Sequence, residues 1–86
     1  MSQYDKLFVQ IMSGTQDNNV PFSDLQKALT LLGFVVRIKG DHFIYTKDGV
    51  DEIINIQPKN NKAKPYQVKQ VRNIILKYKM GGNLNA

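Results

Sequence analysis

Apolar residues recur along this chain with two different periods, and the change from one to the other divides it. Tyr4, Leu7, Phe8, Ile11 and Met12 fall at i, i+3, i+4, i+7 and i+8, a single stripe that predicts an amphipathic helix. Ser2 stands where it can cap that helix, and Gly14 where it can end it in a left-handed conformation. A polar loop over Gln16 to Asn19 follows. Phe22-Ser23-Asp24-Leu25-Gln26 opens a second helix, with Ser23 as the cap and Gln26 returning the bond of a capping box. Leu25, Ala28, Leu29 and Leu32 form its buried face, and Gly33 stops it.

Beyond Gly33 the period falls to two. Phe34, Val36 and Ile38 alternate with Val35, Arg37 and Lys39. If the first set faces the core, Arg37 and Lys39 project from the opposite side. Gly40-Asp41 is a tight turn, and His42 to Thr46 form a second strand rich in β-branched and aromatic residues. Lys47-Asp48-Gly49 is the next turn, and Ile53 to Gln57 form a third strand that Pro58 ends, because proline cannot donate to the ladder. Lys59 to Lys64 is a basic, asparagine-containing loop, and Pro65 suits the first turn of a helix. Val68, Val71, Ile74, Ile75 and Tyr78 give that helix its apolar stripe, with Lys69, Arg72, Asn73 and Lys77 outside it as a basic outward side. Gly81-Gly82 ends the helix, and residues 81–86 are expected to fray.

The predicted order is helix, helix, strand, strand, strand, helix. It makes an α+β two-layer sandwich, a three-stranded antiparallel sheet with helices on one face, since so short a chain cannot leave two apolar faces open. Residues 1–86 are expected to form one domain.

Composition narrows the class. The hydrophobic fraction of 42% and charged fraction of 22% are ordinary for a globular protein. The chain has no cysteine, which excludes disulfides and thiolate metal sites. No apolar run approaches the roughly 18 residues of a membrane span. The start, Met-Ser-Gln-Tyr-Asp, lacks the basic-then-apolar layout of a signal peptide. The expected location is therefore the cytoplasm. Charge is uneven: residues 1–52 carry all seven acids and five of the twelve basic residues, a balance of −2. Residues 53–86 carry Lys59, Lys62, Lys64, Lys69, Arg72, Lys77, Lys79 and no acid, a balance of +7. A polyanion is drawn to that part.

His42 is the only histidine, and it begins the second strand among cationic neighbours. A group that exchanges a proton near neutral pH, set beside positive charge, is what cleavage or tight binding of a phosphodiester needs. The residues therefore point to RNA.

Phe22-Ser23-Asp24-Leu25, Leu31-Leu32-Gly33-Phe34, Arg37, Gly40-Asp41-His42, Ile54-Asn55-Ile56 and the final basic helix together resemble the HicA toxins. These are small RNA-cleaving proteins of bacterial and archaeal toxin–antitoxin pairs. The likeness runs from Tyr4 to Tyr78. It implies a fold similar to the double-stranded RNA-binding domain, mRNA as substrate and a HicB-like antitoxin as protein partner. The family's motif is usually Gly-Ser-His with a catalytic histidine. The resemblance thus assigns catalysis to His42 and the shaping of the turn to Gly40. The chain departs from the pattern at three places. Position 41 is Asp rather than Ser, the N-terminal helix is longer than in the shortest members, and a second histidine after the third strand is absent. A carboxylate beside an imidazole favours its protonated form, and it also repels a phosphate.

Cleavage of RNA without metal uses the 2′-hydroxyl as nucleophile. It needs a base for that hydroxyl, an acid for the leaving oxygen, and cations for the phosphate oxygens. His42 fills one proton-transfer role, and a lysine, Tyr45 or water must fill the other. Arg37, Lys39 and Lys47 are the candidates to stabilise developing charge. Arg37, Lys39, Lys62, Lys64, Lys69 and Arg72 are the candidates to hold the phosphate backbone. Asp48, Asp51 and Glu52 cluster around a turn, but three acids on one loop seldom converge on a cation, so no metal and no cofactor is expected. No phosphate-binding glycine loop or nucleophile triad is present. Phe34, Phe43 and Tyr45 offer stacking surfaces for bases, yet Phe43 and Tyr45 share the strand face opposite His42. Only one of these two faces is free, and the sequence does not say which. Three functions fit these residues: a ribonuclease toxin, a non-catalytic RNA-binding module of the same fold, and a basic domain that meets an acidic protein.

Overall fold

The computed structural model describes residues 3–80, with side chains from residue 5 onward. The elements in chain order are α1 (Gln3–Ser13), a one-turn 3₁₀ helix (Asp17–Asn19), α2 (Phe22–Leu31), β1 (Val35–Lys39), β2 (His42–Lys47), β3 (Val50–Ile56) and α3 (Pro65–Lys77). The strands form one antiparallel sheet in the order β1-β2-β3, and the helices cover one side of it. This is the expected α+β order with its three-stranded antiparallel sheet. Among the described residues no helix is long and apolar enough to cross a membrane.

The stripes bury as their spacing requires. Leu7, Phe8 and Ile11 of α1, Leu25, Ala28 and Leu29 of α2, and Val68, Val71, Ile74 and Ile75 of α3 join Tyr45, Ile54 and Ile56 of the sheet in one core. Phe22 meets Phe43 edge to face, ring centres 5.2 Å apart, which locks the start of α2 onto β2. Gly14 and Gly33 take positive φ, as expected of residues that end helices. The expected cap Ser2, the side chain of Tyr4 and the Gly81-Gly82 stop lie outside the described residues.

Three local expectations change. Ser23 does not cap α2. Pro21 occupies the N-cap position without a side-chain bond, and Phe22 is already helical. The helix starts earlier than that cap requires: the Asp24 and Leu25 N–H groups donate to the Pro21 carbonyl at 3.0 and 3.2 Å, and the Phe22 N–H donates to the Asn61 carbonyl at 3.0 Å. The Lys59–Lys62 segment that supplies this carbonyl is itself a tight turn. Asn60 and Asn61 both have positive φ, and Lys59 and Lys62 exchange two backbone bonds of 3.0 Å. β3 begins three residues earlier than Ile53, because Val50 pairs with Lys47 directly across the turn.

One buried polar side chain ties the last helix to the sheet. The Gln67 side chain accepts the Lys64 N–H at 3.0 Å and donates to the Gln57 carbonyl at 3.3 Å, so its burial leaves no unpaired group. At the other end of β3, the Tyr78 hydroxyl donates to Glu52 at 2.6 Å and accepts the Asp51 N–H at 3.2 Å. The Tyr78 hydroxyl and the Lys77 ammonium hold the Glu52 carboxyl below its ordinary range, and Glu52 in turn raises Lys77. This contribution to stability is present at neutral pH and is lost as pH falls through the lowered Glu52 value.

Leu25 is fully buried between the helices and the sheet. Leu25→Ala is expected to destabilise the fold by about 2–5 kcal/mol, read as a lower midpoint in denaturant unfolding.

Candidate active site

The β1–β2 hairpin sets the site. Lys39 pairs with His42 across a two-residue turn, Gly40-Asp41. Gly40 has φ +63 at the first central position, the conformation a type II′ turn demands and a side chain resists. The turn fixes the register, and the register fixes the faces. Tyr45 is buried opposite Ile54, and Phe43 opposite Ile56, both against the helices. His42 and Ile44 must then point the other way, onto the face that no helix covers. The face left open by the sequence is therefore the histidine face. Phe34, Phe43 and Tyr45 serve the core and are not a stacking platform. Tyr45 also drops out as the second proton-transfer group, since its hydroxyl is buried and pushed above its ordinary value by desolvation.

On the open face His42 is held from β3. Its side chain is 48% exposed. Nδ1 lies 3.1 Å from the Asn55 side-chain oxygen, and Nε2 lies 3.7 Å from an Asp41 carboxylate oxygen. The first distance is a hydrogen bond and the second is not. An amide oxygen accepts only, so Nδ1 carries the proton of that bond, and the neutral ring keeps its lone pair on Nε2. Gln57 holds the other Asp41 oxygen, donating from Nε2 at 2.6 Å. That bond is the largest cause of a lowered Asp41 carboxyl, with the backbone, the nearby His42 and Lys64 adding to it. The arrangement is an imidazole with one nitrogen anchored and the other facing solvent, beside an ionised carboxylate.

The expected cations divide into two groups. Lys39 is directly opposite His42, and Arg37 is opposite Ile44 one row along; both are exposed on the same face. Lys64 sits at the start of α3, close enough to Asp41 to act on its charge. Lys62 lies exposed in the tight turn before α3, bridged to Pro21, and Lys69 lies exposed on α3. Lys47 is at the other end of β2, about 16 Å from His42 along the strand. It belongs instead with Gly33, where a Cβ would come within 2.6 Å of the Lys47 ammonium. Arg72 is not a free phosphate ligand either. Its guanidinium forks onto Asp17 at 2.9 and 3.2 Å and donates to the Ile11 carbonyl at 3.1 Å. A fork saturated by a carboxylate and a carbonyl has little left for RNA.

Asn55 and Gln57 are the site residues that sequence reasoning passed over. Both are polar positions alternating with Ile54 and Ile56, the signal of an outward strand face. What was missing was the register that carries them to His42 and Asp41. Among the described residues no three of His, Cys, Asp and Glu gather so as to hold a metal ion.

A three-stranded antiparallel sheet backed by helices on one side, in the order α-α-β-β-β-α, is a fold like the double-stranded RNA-binding domain. Residues 22–78 match the family model of the HicA toxin of bacterial toxin-antitoxin systems, and the chain belongs to that family. It is a toxin by kind, and membership implies a cognate antitoxin. No match was found among curated proteins or among solved structures.

The Arg72 geometry separates support of the fold from contact with RNA. Arg72→Ala is expected to lower stability by about 2–3 kcal/mol in denaturant unfolding. The affinity for single-stranded RNA, measured on protein that remains folded, should change less than with Lys39→Ala.

Proposed function

We propose that this toxin is a metal-independent endoribonuclease that cuts mRNA on the open face of its sheet, in the cytoplasm, with His42 as the catalytic base. One observation carries the reading: the imidazole is anchored at Nδ1 by Asn55 and exposed at Nε2, on the same face as Arg37 and Lys39. In the reaction His42 Nε2 takes the proton of a ribose 2′-hydroxyl. That oxygen attacks the adjacent phosphorus, and the bond to the 5′-oxygen breaks, leaving a 2′,3′-cyclic phosphate. The 5′-oxygen gains a proton from Lys39 or from water. Arg37 and Lys39 face the developing negative charge, where fixed cations count most. Lys62, Lys64 and Lys69 lie in the basic C-terminal segment and draw the rest of the strand. Gly40 shapes the turn on which the histidine depends. Asn55 is a positioning residue that selects the tautomer.

A second reading has its own observation. Asp41 adds negative charge 3.7 Å from Nε2, where a scissile phosphate must come. A module that binds RNA beside that carboxylate without cutting it would show salt-sensitive binding and no products.

A gel of labelled single-stranded RNA incubated with the purified protein and a chelator decides between the two. Products ending in cyclic phosphate are expected, and His42→Ala should slow their appearance by about 10²–10⁴-fold. Cutting at an unchanged rate in that variant removes the histidine from the mechanism. Asn55→Leu should give a smaller loss, and the ring-nitrogen NMR shifts of His42 should show that the neutral tautomer is no longer fixed. A merely structural asparagine would lower the rate without changing the tautomer.

A further inference from the structure

The two edges of the sheet are treated differently. The β3 edge is reached by α3, through the Tyr78 hydroxyl on the Asp51 N–H and the Gln67 amide on the Gln57 carbonyl. Among the described residues β1 has a neighbour on one side only. In a hairpin closed by a two-residue turn, the residues flanking the turn form a hydrogen-bonded pair, here Lys39 and His42. Every second residue back along β1 repeats that bonding. Lys39, Arg37 and Val35 therefore bond to β2, and the N–H and C=O groups of Val36 and Ile38 point outward. The same strand exposes its apolar side chains, Val35 at 67%, Val36 at 46% and Ile38 at 59%. An edge with free donors and bare aliphatic groups is a template for another strand.

The charges on β1 say which strand. It carries Arg37 and Lys39 and no acid. Two copies of this chain paired edge to edge would set these cations against each other, which is unfavourable across a strand pair. A strand with carboxylates at alternate positions would match them. We propose that the antitoxin docks by adding a fourth strand to β1, with acidic side chains opposite Arg37 and Lys39. The proposal rests on the toxin–antitoxin pairing that family membership implies. Because Arg37 and Lys39 share the face of His42, the docked carboxylates lie on that face across β1 from the imidazole and occupy the cations that RNA phosphates need. Docking at the edge thereby silences the open face.

The test uses the full chain, alone and co-expressed with the antitoxin of the adjoining reading frame, and reads amide hydrogen exchange. The Val36 and Ile38 amides should exchange quickly in the free toxin and slow by at least about 100-fold in the complex. A complex in which both still exchange as in the free toxin overturns edge docking alone. Absence of any complex overturns the pairing on which the proposal rests, and the proposal with it. Protection that rises with concentration of the toxin by itself assigns the edge to a second copy and likewise overturns it. Ile38→Pro removes one outward donor at a position where an edge strand tolerates proline. It should weaken the complex at least tenfold while the free variant cuts RNA at the wild-type rate.

Discussion

Tyr45 and Phe43 are drawn into the core beneath the helices, and strict alternation then turns His42 outward. A slip of one residue in the β1–β2 register would exchange the two sets and seal the imidazole in the interior. The Gly40-Asp41 turn prevents that slip by closing Lys39 onto His42. The Phe22–Phe43 contact prevents it a second time, by pinning β2 to α2. The chemistry of the open face therefore depends on packing that takes place on the opposite one.

The same division organises the polar groups. On the open face, β3 contributes two amides, Asn55 to the imidazole and Gln57 to the turn carboxylate. Gln57 keeps Asp41 engaged, so the carboxylate stands at ion-pair range from Nε2 without a hydrogen bond to it. Nε2 is thus left without a hydrogen bond from Asp41. Behind the sheet, polar side chains serve connection instead. Gln67 joins α3 to the end of β3, and Arg72 clamps α1 and the 3₁₀ turn through Ile11 and Asp17. Burial separates these two uses of the same residue types. A side chain removed from water must satisfy all its polar atoms within the protein, and little capacity is left for a ligand.

The basic balance of the C-terminal part needs the same sorting. Lys77 pairs with Glu52 and Arg72 with Asp17, both acids from the acidic N-terminal part. Some of the charge asymmetry along the chain is therefore cancelled within the fold. What remains for a polyanion is Lys39, Arg37, Lys62 and Lys69, all exposed, and the half-buried Lys64 at the start of α3. Net charge predicts the sign of the partner, while pairing decides which residues meet it.

The helices and the strand order were legible in the sequence, because periods of 3.6 and two are local properties of the chain. So were the turn at Gly40 and the prominence of His42, since glycine and a lone histidine stand out without any contacts. The start of α2 was not, because the Phe22 N–H of its first turn is satisfied by the Asn61 carbonyl, brought near only when the chain folds. The free sheet face was not, because both faces of β2 carry plausible functional groups and only helix packing covers one. Asn55 and Gln57 beside the histidine and its turn, and Arg72 engaged by Asp17, likewise follow from contacts across many residues of sequence. Local pattern sets which side chains share a face; only the assembled core decides which face meets water.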